Sequence, residues 1–456
     1  MARQKEINGA PIVVEFSDFT GGINTAIAPQ LLGQNEYQSI HNMELELNQL
    51  VTRGGLSAPL ATYPANIKAF FYDDSTNCYI VCLVNGDIYE EDLATVHRKI
   101  GTLSGTRRPH FCRFDSKVFI ASGGKLQYFS YAQHTVTIVQ ASKLCDFVFE
   151  RFGRIVITHQ GDDNLYYSAV GDPYETGWGE DANEDNSAKF IEIGYKDDGD
   201  ILKVLPISGD IAIFKTNGRI YILSGEYPNW TVQLIGDHSD AITAEAITDV
   251  GSTIAFMSKS GLKTLQAVQL YGNFGVDELG RKFNKSIIGA LIHEPRIYNI
   301  TRKRQLLVCP DTSDNTTQKR MYLYQYDIGA GMTVEFSVPI ADMQDTQNGV
   351  LVASGKKLYR WSREFTTDNG AVIQQQIITR EFASTNRIFT RKLDVGVHGI
   401  NDGKILFEWA DKKLTHTIGS RRRVHNIFSV CRQDELKITT TANIKIDYVK
   451  FYAAEV

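Results

Sequence analysis

Three runs of carboxylates, Glu180-Asp181, Glu184-Asp185 and Asp197-Asp198-Gly199-Asp200, are the groups in this chain best suited by type to proton transfer or cation binding. Paired carboxylates divide into proton donor and acceptor when their surroundings push their pKa values apart, and Asp-rich loops coordinate calcium. All three runs lie in stretches rich in Gly and Asn. None has the spacing of the twelve-residue calcium loop with its closing Glu, so the reading is a solvated loop, with a calcium site second and a catalytic pair third. Cys78 and Cys82 stand four residues apart, which on a strand places both thiols on one face. No second Cys or His pair follows at zinc-site spacing. With Cys112, Cys145, Cys309 and Cys431 they read as reduced thiols used as small hydrophobes in apolar strands. The densest positive cluster is Arg421-Arg422-Arg423 with His425, a loop leading into the apolar run 424–430. Three uses stay open for it: contact with phosphates, pairing with carboxylates of a neighbouring subunit, and plain solvation.

Motifs of known catalytic chemistry are missing from the sequence. It has no Gly-rich phosphate loop ahead of a helix, no His-Glu-x-x-His, no Gly-x-Ser-x-Gly elbow and no Ser-x-Asp-x-Gly-x-Thr-Trp box of the sialidase kind. The expectation is a protein that is not an enzyme, with no catalytic residue, no cofactor and no metal site. The 456 residues carry 48 Lys and Arg against 53 Asp and Glu, and the net charge of −5 argues against a broad grip on nucleic acid. No run is long and apolar enough to span a bilayer. The first residues, Met-Ala-Arg-Gln-Lys-Glu, lack the apolar core of a signal peptide, which points to synthesis and assembly in a cytosol.

Any site must be positioned by a strand-turn-strand unit that recurs seven times. The copies begin at Cys78 (CYIVCLVNGDIYE), Lys117 (KVFIASGGKLQYF), Arg154 (RIVITHQGDDNLYYS), Asp210 (DIAIFKTNGRIYIL), Thr253 (TIAFMSKSGLKTL), Gln305 (QLLVC, then a longer loop) and Gly349 (GVLVASGKKLYRW). They start about 35 to 60 residues apart, around the ~40–50 of one four-stranded propeller blade. Asn85-Gly86, Gly123-Gly124 and Asn217-Gly218 suit tight hairpin turns with positive φ. The apolar runs are near-continuous, which predicts sheets covered on both faces; a sandwich of unrelated hairpins is the alternative. After Trp361 the rhythm changes to strands such as KILFEWA and IKIDYVKFY, separated by longer polar turns that include Asn401-Asp402-Gly403. The expected fold is all-β: an irregular β-propeller of six to seven blades, inserted in or followed by a small β-sandwich or barrel platform domain. The expected boundaries are 1–65 for an N-terminal segment packing with the platform, 66–365 for the propeller and 366–456 for the C-terminal platform. One helix is predicted over residues 35–43, capped by Asn35, with Leu31, Leu32, Tyr37, Ile40 and Met43 sharing a face. The seventh unit is either completed by the first or belongs to the C-terminal domain.

The opening of the chain carries more than fold information. Phe19-Thr20-Gly21-Gly22-Ile23-Asn24, then Pro29, Asn42-Met43 and Leu50-Val51-Thr52-Arg53-Gly54-Gly55 resembles the start of the tail nozzle proteins of short-tailed bacteriophages, also called tail tubular protein B. In that family a Gly-Gly segment, a Pro, a central Asn and a Leu-x-x-Arg-Pro/Gly-Gly stretch lead into an irregular propeller; here Gly54 stands where Pro is often found. The motif residues are thus Gly21, Gly22, Asn24, Pro29, Asn42, Met43, Arg53, Gly54 and Gly55. The resemblance implies a structural protein of the virion tail, assembled in the host cytoplasm as a homo-oligomer, a hexameric ring. Such a ring extends the tail tube below the adaptor and portal, closes the DNA channel and opens for genome ejection, touching viral double-stranded DNA only in passing. On that reading Arg421, Arg422 and Arg423 are candidate contacts with a neighbouring subunit or the adaptor. The alternatives are another tail component, such as a hub, stopper or fibre-attachment protein, and a propeller that binds or cleaves glycans.

Overall fold

The computed structural model describes residues 11–181, 183–236, 239–268, 273–290, 293–310, 320–399, 403–420 and 422–455. All seven recurring hairpins become the central strand pairs of seven antiparallel sheets. Blade one is Ile67–Asp73, Cys78–Leu83, Asp87–Glu91 and His97–Thr102; blade two is His110–Phe114, Lys117–Ala121, Gln127–Ser130 and Thr135–Ile138. Blade three is Phe147–Arg151, Arg154–Thr158, Asn164–Tyr167 and Lys189–Glu192; blade four is Ile201–Ile207, Asp210–Lys215, Ile220–Ser224 and Thr231–Gly236. Blade five is Ile247–Val250, Thr253–Ser258, Gly261–Val268 and Asn273–Glu278; blade six is Arg296–Ile300, Gln305–Cys309, Arg320–Gln325 and Ala330–Glu335. Blade seven draws only Asp342–Thr346, Gly349–Ser354 and Lys357–Ser362 from its own stretch of chain.

Successive side chains on a strand point to opposite faces, and here both faces are covered by neighbours. In blade one Tyr79, Val81 and Leu83 pack on Leu351, Ala353 and Leu358 of blade seven, while Ile80 and Cys82 pack on Val118 and Ile120 of blade two. The same alternation continues around the molecule. Phe119 and Ala121 meet Ile155 and Ile157; Val156 meets Ile211 and Ile213; Ala212 and Phe214 meet Ile254 and Phe256; Ala255 and Met257 meet Leu306 and Val308; Leu307 and Cys309 meet Val350 and Val352. The layers therefore close into a seven-bladed ring, and the continuous apolar runs follow from it. The six cysteines are free, and burial pushes the Cys82 and Cys145 thiols up. In the turns Gly86, Gly123 and Gly218 take positive φ, whereas Asn85 and Asn217 cap the turn with their side chains, accepting the amide N–H of Asp87 (3.2 Å) and Arg219 (3.0 Å).

Closure depends on the N-terminal segment. Gly55–Leu56 pairs with Ser362 and Trp361, and Ala61–Thr62 with Leu358 and Lys357, so residues before position 66 supply the outer strand of blade seven. Thr367–Asp368 adds in parallel to Leu56, carrying that sheet past residue 365. On the inner side Asp342 accepts the Phe70 N–H (2.9 Å) and Gln344 accepts the Tyr72 N–H (2.9 Å), joining blade seven to blade one.

The remaining strands form the platform. The long strand Gln375–Gly399 pairs with Val424–Thr440 and Ile444–Glu455, and Lys404–Trp409 with Lys412–Thr417 extends the sheet. From the N-terminal segment, Pro11–Phe16 and Gln49–Thr52 pair with Ile444–Glu455. Tyr37–His41 lies between Gln375–Gly399 and blade six, bridging to Thr333, so one continuous sheet fuses blade six to the platform. This corrects the helix predicted over 35–43. Tyr37, Ile40 and Met43 are all buried at three-residue spacing, but a bulge between Tyr37 and Ser39 and the left-handed Asn42 (φ 56°) shift a strand's faces by one residue each and imitate a helical stripe.

Gly55 is closed in by neighbouring backbone, and a Cβ there would overlap the Thr367 carbonyl. Gly55→Ala is therefore expected to cost at least about 2 kcal/mol of unfolding free energy in urea titrations. Gly86→Ala, at a positive φ with open space around it, should cost only about 1–2 kcal/mol. Equal, small losses at both positions would overturn the closing role given to residues 55–56.

Candidate functional site

The motif residues of the opening segment converge on the joints between blade six, blade seven and the platform. Gly21 is closed in by its own segment, where a Cβ would overlap the Asn35 carbonyl, and Gly22 presses against blade six, with φ +62° against the Gly331 backbone while the Ile23 N–H donates to Gly331 O (2.8 Å). Asn24 donates to Glu36 Oε2 (3.0 Å) and accepts the Ala26 N–H (3.0 Å). Pro29 opens the short 3-10 turn Pro29–Leu31, and Met43 is buried in the core shared by platform and blades six and seven. Asn42 Oδ1 accepts both Arg53 Nε (2.9 Å) and the Glu335 N–H (2.7 Å), and its Nδ2 donates to Gln374 O (2.8 Å).

Arg53 is the centre of this joint. Only 1% exposed, it pairs in two-pronged fashion with Asp368, itself 3% exposed, through Nη1–Oδ1 (3.0 Å) and Nη2–Oδ2 (2.6 Å). It also donates to the carbonyls of Gly54 (2.8 Å) and Glu335, and stacks over Phe336 at 4.4 Å. Gly54 O in turn accepts Trp361 Nε1 (2.8 Å). Sequence reasoning missed a second anchor, the fully buried Glu44, which accepts Lys303 (2.9 Å) and Arg363 (3.1 Å). Burial opposes its ionisation, yet those two cations hold its carboxyl below the ordinary value.

A second polar centre lies on the propeller axis. A cavity of about 460 Å³ opens where inner strands of several blades begin, lined by Arg107, His110, Asp146, Phe147, Gln160, Glu245 and Arg296 among others. Below it Arg108 of blade two crosses the axis to Glu245 of blade five (3.3 Å) and Asp342 of blade seven (2.5 Å), and donates to Lys68 O of blade one (2.6 Å). The His110 Nδ1–H donates to Asp146 O (2.9 Å), which leaves Nε2 to accept from Lys203 Nζ (3.3 Å) of blade four. Burial and the adjacent Lys203 lower the His110 pKa, and burial lowers that of Lys203. Burial alone would raise Glu245, but Lys203, His110 and Arg108 hold it well below the ordinary carboxylate value. Asp146 accepts Arg107 Nη1 (2.8 Å) and the Gln160 N–H (2.6 Å). No local motif announces these residues. The available signal was a charged residue seven to ten positions before each hairpin: Lys68, Arg108, Asp146, Lys203, Glu245, Arg296 and Asp342.

The other residues singled out by type are dispersed. Arg421 lies outside the described residues; Arg422 and Arg423 are exposed at the platform edge, where Arg422 Nε donates to Val424 O (3.1 Å). His425 turns inward to pair with His416 (2.9 Å). Glu180, Asp181, Glu184 and Asp185 are exposed, but Asp197 departs from the solvated reading. It is buried, accepting Lys215 Nζ (2.6 Å) and the Tyr221 hydroxyl (2.9 Å), because Lys215 is itself shut inside blade four and needs a counter-ion. Among the described residues no group of three His, Cys, Asp or Glu side chains is placed to hold a metal ion.

No family model and no curated protein matches the chain. Among solved structures, the extracellular domain of a putative hybrid two-component system from B. thetaiotaomicron aligns with a TM-score of 0.48 at 12% identity, over 84% of this chain and 57% of that one. The β-propeller domain of Cps50 (Swd1) from Myceliophteria thermophila aligns with a TM-score of 0.45 at 10% identity, over 69% of this chain and all of that one. This chain thus spans little more than half of the first of these structures. At these scores neither likeness bears on function, and the propeller fold rests on the seven sheets and their closure.

Removing one partner of a buried ion pair leaves the other charge stranded. Arg53→Met should therefore lower unfolding free energy by about 3–5 kcal/mol, with much of it recovered when Asp368→Leu is added; an unchanged urea midpoint in the single variant would contradict the latch. His41 sits on the blade six–platform joint against Thr333 Oγ1 (3.0 Å). Burial, with Arg320 and Arg53 adding and Glu335 opposing, lowers its pKa to about 4. Between pH ~6.5 and that value the unfolded chain binds a proton that the folded chain does not, so stability is full above pH ~6.5 and falls as the pH drops, by about 3 kcal/mol for this group. His41→Gln should flatten that part of a stability-against-pH curve; an unaltered slope would refute the assignment.

Proposed function

We propose that this chain is a structural component of a short phage tail, a nozzle subunit that assembles into a ring around the DNA path. The observation that carries the reading is the use made of the motif residues. Gly22, Asn42, Arg53, Gly54 and Gly55 all serve to close the propeller and to lock it to the platform, which suits a part that transmits force without changing shape. In this reading the DNA path runs between subunits. Each propeller's own axis is crossed by Arg108 and its carboxylates, and opening it would separate buried charges at several kcal/mol per ion.

The exposed Arg422 and Arg423, with Arg421, are assigned to a subunit or adaptor contact. Rim charges of this kind steer association and fix register more than they add affinity. Mild net acidity leaves the lumen little hold on a sliding duplex, since each retained phosphate contact resists movement.

Quantitative mass spectrometry of purified particles tests the reading: one copy of this chain for every two of the portal is expected. A ratio far from one half, or absence from particles, overturns the nozzle assignment. In the same particles Arg421→Glu with Arg422→Glu should prevent incorporation while the monomer stays folded, and normal incorporation would remove those residues from the contact.

A further inference from the structure

The axial cavity stands apart from the tail reading and does not depend on it. We propose that it is a binding site for a neutral saccharide unit. Ligand sites are concave, a few hundred Å³ in volume and furnished with a few fixed polar groups beside apolar surface, and this cavity has each of these features. Its volume of about 460 Å³ admits roughly one or two sugar rings.

The polar groups are held before any ligand arrives. Arg107 is anchored on Asp146 (2.8 Å) and Gln160 (2.9 Å), Arg296 on Ala341 O (2.9 Å), and Thr243 on Pro295 O (2.9 Å). Guanidinium donors thus stand beside carboxylate and carbonyl acceptors at fixed spacing. A hydroxyl both donates and accepts, so neighbouring hydroxyls on a ring can bridge such a donor–acceptor pair, and charged partners make those hydrogen bonds the stronger kind. Phe147, Ala244 and Pro295 supply apolar wall for the C–H face of a ring.

The paired charges disfavour an ionic ligand at Arg107 and Arg108. Arg107 is matched by Asp146, and Arg108 by Glu245 and Asp342. A phosphate on Arg107 or Arg108, or a metal ion on Glu245 or Asp342, would have to break one of these pairs and leave a buried partner uncompensated, which is costly; Glu294 and Arg296 add one charge of each sign to the same wall. A neutral polyol can bind while every pair stays intact.

Ligand-observed NMR saturation transfer on the full chain, with glucose, galactose and N-acetylglucosamine as probes, tests the site. Transfer to at least one sugar is expected. Gln160→Ala with Arg296→Ala should weaken that binding by about tenfold or more, while Arg422→Ala at the distant platform edge leaves it unchanged. Where the thermal midpoint of the double variant drops, Gln160→Ala alone serves in its place. Transfer to none of the three sugars, binding unaffected in the folded variant, or displacement of the sugar by inorganic phosphate would each overturn the proposal. None of these outcomes alters the particle stoichiometry by which the tail reading is judged.

Discussion

Arg53 and Asp368 are taken out of water together, and the desolvation cost of each charge is met only while the other is in place. Such a pair adds little net stability compared with two apolar side chains of the same volume, but it penalises every arrangement in which one partner is buried alone. In this protein that penalty selects how the ring closes. Arg53 precedes the strand that completes blade seven, Asp368 follows it from the other end of the propeller, and Asn42 and Gly54 hold the guanidinium from either side. Misregister of residues 55–56 by one position would carry Arg53 away from its carboxylate. The buried Glu44, on the strand Met43–Glu46 and tied to Lys303 and Arg363, applies the same constraint earlier in the N-terminal segment.

The central hairpins were legible because two signals coincide in them: an apolar run with no polar face and a turn residue that tolerates positive φ. Outer strands such as Thr231–Gly236 and Thr135–Ile138 lacked both. Thr135–Ile138 is largely exposed and pairs only with Gln127–Ser130, so its four residues resemble any polar loop. The closing strand Gly55–Leu56 is two residues long and finds its partner about three hundred residues away, beyond the reach of local pattern. Tyr37–His41 misled for a definite reason, since a bulge gave a strand the three-residue spacing of a helix.

The candidate functional residues divide along the same line. The opening motif was visible as a string of residue types, but what it does was not, because Asn42 and Arg53 act on Glu335, Phe336 and Asp368. The axial cluster is spread over several blades, and the charged position it repeats in each becomes readable only when the blades are superimposed on each other. By contrast the local clusters that looked chemical, the acidic runs and the arginine triplet, owe their density to loops and edges. Asp197 is the exception, and it was concealed among solvated neighbours by composition alone.

The shared blade seven also has a consequence for how the molecule is made. Its outer strand is synthesised nearly three hundred residues ahead of its remaining strands, so no native ring exists until residues 342–362 have been made. Closing so long a loop is slow, and until it happens blade one offers an uncovered sheet face and residues 55–62 lack a partner, both openings for misassembly. A chain of this design therefore reaches its native ring late: cut before residue 357 it has neither a closed propeller nor a whole platform.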